Sequence, residues 1–158
     1  MTKLFNYPAH LIRRLHQISV AIFAAEARAT GCDLTPVQYG VLVTLREHPG
    51  VDQATLAGLI SHDRVTIGGV VARLEARGYV RRKVRADDRR ARSLTLTKAG
   101  EALLQNVEPV VISAQDRLMS PLDDADQQEF LRMIRIMTET SDKFGRGALH
   151  QQMLRAED

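Results

Sequence analysis

The chain is poor in the features that build disulfide-linked, thiolate-metal or membrane proteins. It has 158 residues and one cysteine, Cys32, which excludes an internal disulfide framework and a zinc cluster of several thiolates. No apolar run is long enough for a signal peptide or a membrane span, since Arg13, Arg14 and His16 interrupt the first apolar segment. We therefore expect a soluble, cytoplasmic protein in a reducing compartment, with no membrane partner.

Patterns typical of a catalytic or metal site are missing as well. We find no nucleophile paired with a base and no glycine-rich phosphate loop, and the carboxylates of Asp87–Asp88 and Asp123–Asp124 are sequence neighbours whose side chains diverge. His10 and His16 are not at a spacing that puts two metal ligands on one helix face. The sequence predicts a protein that is not an enzyme and uses neither a metal nor a cofactor.

Positive charge is abundant only locally. The formal net charge is +3 and the sequence pI about 9.3, yet the stretch VRRKVRADDRRAR at residues 80–92 is strongly basic. Because local charge density governs the attraction of a polyanion more than the total does, this stretch indicates a nucleic-acid partner.

The first half of the chain has the pattern of four helices. Apolar residues at steps of three and four predict a helix over 8–29, and Thr35 with Gln38 makes a capping box for a second helix. Asp52 is placed to cap a short third helix. A tight connection at Ser61–His62 leads to the fourth.

After the fourth helix stops at Gly78, the apolar period changes from helical to two. Residues 80–84 and 93–96 are predicted to form the two strands of a charged hairpin. Thr97 is placed to cap a fifth helix, and Asp123 a sixth. The predicted order is four helices, a hairpin and two more helices.

This order predicts a mainly helical fold with a small β-hairpin wing, the winged helix-turn-helix. In this fold the second of two short helices enters the major groove of DNA. Arginines near the hairpin tip suit a narrow minor groove, where negative potential is concentrated. Arg81, Arg82 and Lys83 at the hairpin base suit phosphates instead. We expect double-stranded DNA as the partner.

Two segments, VARLEARGYVRR and ADDRRARSLTLTKAGEALL, resemble the MarR family of transcription regulators, and the resemblance runs over nearly the whole chain. It implies that Asp88 and Arg90 are the paired residues of the wing motif. Arg90 would then reach into the minor groove while Asp88 orients a neighbouring arginine by a charge-assisted hydrogen bond. Arg89 and Arg92 complete the implied DNA contacts of the wing.

The same resemblance implies DNA-facing positions in and just before the fourth helix. They are Ser61, His62, Arg64, Val65, Thr66, Gly68, Gly69 and Arg73. Where many relatives have a polar or basic side chain, this chain has the two glycines, which remove base contacts and cost roughly 1 kcal/mol of helix stability each. Either they let the helix backbone sit close to the duplex, or they relieve crowding against another helix.

The first, fifth and sixth helices are more apolar than one small winged-helix core requires. In the family that the chain resembles, these helices interleave between two subunits and hold two recognition helices about one helical turn apart, to match a pseudo-palindromic operator. We expect a homodimer of single-domain chains, residues 1–158. The DNA-binding lobe would be 34–97, and the dimerisation helices 8–30 and 98–145.

A ligand site is also implied by resemblance. The segments YPAHLIRRLHQISVAIF and LTPVQYGVL are most similar to a subgroup that controls aromatic and N-heteroaromatic acid catabolism, nicotinate degradation included. Arg14 could pair with a carboxylate in a pocket for a small aromatic carboxylate or phenolic ligand. The rim of this pocket would be His10, Arg14, Gln17, Gln38 and Tyr39. The alternative is an intersubunit salt bridge of Arg14 and a solvated His10.

These expectations combine into a dimeric repressor that an aromatic acid releases from its operator. The acid would stabilise a dimer geometry whose recognition helices no longer match adjacent grooves. One alternative is a redox-responsive regulator using Cys32, although the neighbouring Asp33 disfavours a reactive thiolate there. Another is a winged-helix module without small-molecule input, which binds protein or binds DNA architecturally.

Overall fold

A computed structural model describes residues 3–84 and 92–154 of the chain, with side-chain surroundings for residues 5–83 and 92–140. Contacts divide the chain into two compact units, Met1–Leu118 and Met119–Asp158. The predicted DNA-binding lobe lies within the first unit. The fold is mostly helical with one antiparallel hairpin, which confirms the predicted fold class.

Four helices begin the first unit, after a short 3₁₀ turn at Lys3–Asn6. They are α1 (Pro8–Ala29), α2 (Pro36–Glu47), α3 (Gln53–Leu59) and α4 (Arg64–Ala76). Thr35 and Gln38 form the reciprocal capping box at the start of α2. The Asp52 carboxylate accepts two backbone amides of the first turn of α3. The caps predicted for both helices are confirmed.

An antiparallel hairpin follows α4. Its strands are β1 (Val80–Val84) and β2 (Arg92–Leu96), so β2 starts one residue earlier than predicted. The Leu94 carbonyl accepts a hydrogen bond from the Gly50 amide, and the Leu94 amide donates to the Val51 carbonyl. These bonds tie the hairpin to the loop that precedes α3.

Two long helices follow the hairpin, α5 (Lys98–Met119) and α6 (Asp124–Leu154). Asp123 caps α6 as predicted, since its carboxylate accepts the Asp126 amide at 2.9 Å. The helix continues past the predicted end near residue 145, because losing an apolar stripe does not remove the backbone hydrogen bonds that hold a helix. Within the described residues, no helix is both long and apolar enough to cross a membrane.

The core of the first unit is built from the inward faces of α2, α3, α4, β2 and α5. Its largest fully buried side chains are Leu42, Leu45, Leu56, Ile67, Leu74, Leu94, Val41, Val71 and Val107. By contrast, the buried residues of α1 are Phe23 and Ala27, both near its C-terminal end. The N-terminal part of α1 therefore keeps its apolar side chains largely accessible.

The junction between β2 and α5 is tightly packed, and the hydrogen bonds of Thr97 hold it together. The Thr97 hydroxyl donates to the Gly78 carbonyl at 2.6 Å and accepts the Gly100 amide at 3.1 Å. Gly78 has a φ of +76°, which a residue with a side chain rarely adopts. A Cβ on Gly100 would clash with the carbonyl oxygen of Tyr79, so only glycine fits at this point.

A carboxylate fastens α1 to α5. Glu26 accepts hydrogen bonds from Arg117 Nη1 and Ser113 Oγ, each at 2.9 Å. The hydrogen bond from Arg117, followed by that from Ser113, holds the pKa of Glu26 below its ordinary value of 4.5. The ionised form of Glu26 therefore stabilises the fold.

Glu26→Gln is expected to destabilise the protein at neutral pH and to lose this effect in acid. A carboxyl group whose pKa is lowered by folding stabilises the fold above its unfolded pKa, and this contribution disappears as pH falls through the folded pKa. Urea midpoints of both proteins, measured from neutral pH down to about pH 3, test this. A difference in midpoint that is the same at every pH would contradict it.

Candidate nucleic-acid interface

Helices α3 and α4 form a helix-turn-helix. Ser61 lies in the turn with a φ of +52°, a left-handed conformation that is uncommon for residues other than glycine. The His62 amide donates to the Ala57 carbonyl at 3.0 Å, and His62 Nδ1 donates to the Ile60 carbonyl at 2.8 Å. Both Ser61 and His62 thus shape the connection to α4.

Helix α4 begins at an acidic cap that the sequence analysis did not identify. Asp63 Oδ1 accepts the Thr66 amide at 2.8 Å. Hydrogen bonds from the Thr66 side chain and then from its backbone hold the pKa of Asp63 below its ordinary value of 3.8. The signal was available, since an aspartate directly before a helix is a common N-cap.

Helix α4 has one buried and one open face. Its buried residues are Ile67, Val70, Val71 and Leu74. Of the α4 side chains predicted to face DNA, those that lie exposed are Arg64, Val65, Thr66 and Arg73. The exposed face therefore combines two guanidinium groups with a hydroxyl and an apolar side chain.

The two glycines of α4 have different surroundings. A Cβ on Gly68 would lie 2.9 Å from Gln53 Nε2, which donates to the Arg64 carbonyl. Gly68 thus makes room for the first residue of α3. A Cβ on Gly69 would meet the Arg73 guanidinium at 3.8 Å, an ordinary contact distance. A Cβ on Gly68 would displace only the flexible end of the Gln53 side chain, so packing within the chain strictly requires neither glycine.

The basic residues of the hairpin stem do not all point the same way. Arg81, Lys83 and Arg92 are exposed. Arg82 points to the other face, where its Nε lies 3.3 Å from Glu75 Oε2 and its side chain is 23% exposed. The ion pair ties the hairpin to α4, a role that the sequence analysis missed. The phosphate contact predicted for Arg82 stays a prediction.

The tip of the wing lies outside the described residues. Asp88, Arg89 and Arg90 fall in the segment 85–91, so their DNA contacts stay predictions. The described strands end at Val84 and begin again at Arg92, and the structure therefore positions the hairpin stem.

Arg77 links the end of α4 to the loop between α1 and α2. Its Nη1 donates to the Asp33 carbonyl at 2.8 Å and lies 3.4 Å from Asp33 Oδ2. The guanidinium also lies over the Tyr79 ring, 5.1 Å from the centroid. No local sequence pattern predicts the contact with Asp33, because that residue lies 44 positions earlier in the chain.

The residues of the predicted pocket rim on α1 are accessible or only half-buried. Arg14 and Gln17 are exposed, and Gln17 accepts a hydrogen bond from Arg13 at 3.4 Å. The His10 ring meets the Phe5 ring edge to face, with centroids 5.4 Å apart. Its Nε2 is buried, without a hydrogen-bond partner among the described residues.

The rim residues predicted on α2 already take part in the fold. Gln38 is buried, and its Oε1 accepts the Thr35 amide at 2.9 Å. Tyr39 is half-buried against the hydrophobic core. The α1 residues are therefore the part of the predicted rim with free polar groups.

An open surface depression of about 500 Å³ lies along α5. It is lined by Gln105, Glu108, Pro109, Ile112, Ser113 and Asp116. None of the predicted rim residues is among these. The carboxylates of Glu108 and Asp116 disfavour an anionic ligand at this place.

Cys32 lies just after α1 and is half-buried against the core. Its amide donates to the Ala27 carbonyl at 2.8 Å, which closes the end of α1. In the described part of the chain, no group of three or more His, Cys, Asp or Glu residues is placed to hold a metal ion.

Comparisons with known proteins agree on one family. A model described as the MarR family matches residues 34–91, which contain the helix-turn-helix and the first part of the hairpin. The transcriptional repressor NicR of Pseudomonas putida is 33% identical over 138 residues, which cover 86% of this chain and 85% of NicR.

Solved structures of DNA-binding regulators share the fold of this chain. BpsR of Bordetella bronchiseptica, whose DNA binding is regulated by 6-hydroxynicotinic acid, matches with a TM-score of 0.80 and 28% identity over 87% of this chain and 97% of BpsR. The repressor CouR bound to a 23-mer DNA duplex matches with a TM-score of 0.79 and 27% identity over 87% of this chain and 96% of CouR. This chain belongs to the MarR family of DNA-binding transcription regulators, and is not an enzyme.

Proposed function

We propose that the protein is a homodimeric repressor that a small aromatic acid releases from a pseudo-palindromic operator. The observations that carry the DNA-binding surface are the exposed Arg64 and Arg73 of α4 and the exposed Arg81 and Lys83 of the hairpin stem. Exposed guanidinium and ammonium groups on a recognition helix and on a wing suit the phosphates on either side of a groove. Arg90 and Arg92 extend the contact toward the minor groove.

Exposed apolar side chains support the homodimer. In the first unit, α1 exposes Leu11, Ile12, Ile18 and Val20, and α5 exposes Ile112. In the second unit, α6 exposes Leu131, Met133, Ile134, Ile136 and Met137. Apolar faces of this extent on long helices are typical of surfaces that a second subunit covers.

The α1 residues support an acid ligand. Arg14 is an exposed cation that can pair with a carboxylate, and the buried His10 Nε2 offers a further polar partner. The relative BpsR responds to 6-hydroxynicotinic acid, a compound of this chemical class. We therefore assign aromatic and N-heteroaromatic carboxylic acids as the ligand class.

Release then follows from a shift between two dimer geometries. The acid needs only to bind the geometry with mismatched recognition helices more tightly than the DNA-bound one. A coupling of about 1–3 kcal/mol, or 5- to 150-fold in affinity, is sufficient.

The test is a DNA-release titration. The purified protein is bound to a labelled fragment from upstream of its own gene, and benzoates, cinnamates and hydroxynicotinates are added one at a time. We expect at least one acid to release the DNA. The Arg14→Gln variant should bind the fragment with normal affinity, but a higher concentration of that acid should be needed for release. Tight DNA binding that no acid disturbs would overturn the ligand assignment and favour the Cys32 alternative.

A further inference from the structure

Val65 is the most exposed large apolar side chain in the described part of the first unit, with 87% of its surface accessible. It lies in the first turn of α4, between Arg64 and Thr66, on the helix that we propose to enter the major groove. The core does not use it, since the buried face of α4 starts at Ile67. An isopropyl group left in water at this position is available to a partner.

Charge identifies the kind of partner. Arg64 directly precedes Val65, and Arg73 follows Val65 by eight residues, about two helical turns further along the exposed side of α4. Among the side chains that the structure describes, no carboxylate forms an ion pair with Arg73. An apolar group between unpaired cations fits an anionic partner that also has apolar atoms, and does not fit the apolar surface of a protein.

The backbone around Val65 allows a close approach. Gly69 follows Val65 by four residues and therefore lies on the same face, where it adds no side chain. A Cβ there would have ordinary contact distances, so packing within the chain does not require this glycine. Gly69 therefore places no side chain between Val65 and the Arg73 guanidinium, which lies close to this position.

We propose that Val65 reads the 5-methyl group of a thymine in each operator half-site. In the major groove, the methyl group distinguishes thymine from the other three bases, and apolar side chains are the groups that recognise it. Because Gly69 adds no side chain beside Val65, no neighbour one turn along the helix keeps the base edge away from the Val65 methyl groups. The inference rests on the proposed function, because it requires α4 to be the helix that enters the groove.

The experiment begins by selecting an operator from a random duplex library with the wild-type protein. Each thymine of the selected duplex is then replaced singly by deoxyuridine, which lacks only the methyl group. We expect one thymine in each half-site at which this replacement weakens wild-type binding about fourfold, the effect of removing one methyl contact. Val65→Ala should bind the thymine duplex several-fold more weakly and should no longer distinguish thymine from deoxyuridine there.

Leu59→Ala is the matched control, since Leu59 is also an exposed apolar residue and lies on α3. It should keep the wild-type preference for thymine. Melting curves should show Val65→Ala folding as well as the wild type, because Val65 is not in the core.

Two results would overturn the proposal. One is a wild-type protein that no deoxyuridine substitution affects, and the other is a methyl preference that persists at the same position in Val65→Ala. Failure of the proposed function would look different, because the library would then yield no enriched sequence at all.

Discussion

Gly100→Ala is expected to lower the melting temperature by roughly 6–12 °C, the shift that about 3 kcal/mol produces in a chain of this size. The new Cβ would clash with the Tyr79 carbonyl oxygen and lie 3.3 Å from Leu96 Cδ2. Thr97 bonds to both Tyr79 and Gly100, so neither segment can move away without losing a hydrogen bond. Scanning calorimetry measures the shift.

Gly40→Ala is the matched control for this prediction. Gly40 lies inside α2, and a Cβ there would have no atom of the chain within 4 Å beyond its own helix and neighbours. It should melt at the wild-type temperature or higher, because alanine is favoured over glycine in a helix by about 1 kcal/mol. If Gly100→Ala melts with the wild type, the junction between β2 and α5 is not closely packed.

A chain with both Leu11→Glu and Ile18→Glu is expected to be monomeric and to bind operator about 100-fold more weakly. The two positions are seven residues apart and share a face of α1, where both side chains are exposed. Changes at exposed positions leave the fold of one chain intact. In a dimer interface, however, the two new glutamates would be buried without partners, which disfavours association. A monomer has one recognition helix instead of two, so its affinity for the operator falls. Sedimentation velocity gives the mass, and fluorescence anisotropy gives the affinity.

Leu59→Glu is the control for the mass measurement. Leu59 is about as exposed as Leu11 but lies on α3, away from the helices assigned to the dimer. This variant should sediment like the wild type. A double variant of α1 that remains dimeric would show that the subunits meet through another surface.

The parts of the fold that local chemistry determines could be predicted from the sequence. Thr35, Asp52 and Asp123 cap helices because each side chain bonds amides only two or three residues away. Gly78 ends α4 because a positive φ is needed there. The hairpin could be predicted from local sequence as well. After Gly78 the apolar residues alternate with a period of two, which is the alternation of side chains along a strand.

The parts that depend on long-range packing could not be predicted. The sequence left two explanations for Gly68 and Gly69, and only the assembled fold shows that a side chain at Gly68 would meet Gln53 of α3 while one at Gly69 would not meet another helix. Arg82 belongs to a basic run, and nothing local reveals that Glu75 pairs with it. Whether a charged residue faces a partner or another helix of its own chain depends on the assembled fold.

The candidate ligand site shows the same division. Helical spacing correctly placed His10, Arg14 and Gln17 on α1. It could not reveal that Gln38 is both a capping residue and buried, since burial depends on elements distant in sequence. The α5 depression and its two carboxylates, Glu108 and Asp116, match no short sequence motif, because a depression is shaped by the surface of the folded helix.

The most direct test of the account is the affinity of the wild-type protein for the operator selected from the library and for a scrambled duplex of the same composition. Anisotropy titrations between about 50 and 200 mM salt would give both constants and their salt dependence. We predict that the operator binds at least about 1,000-fold more tightly, and that both affinities fall as salt rises. Equal affinity for the two duplexes, or affinity that salt does not change, would contradict sequence-specific binding through the basic faces of α4 and the hairpin.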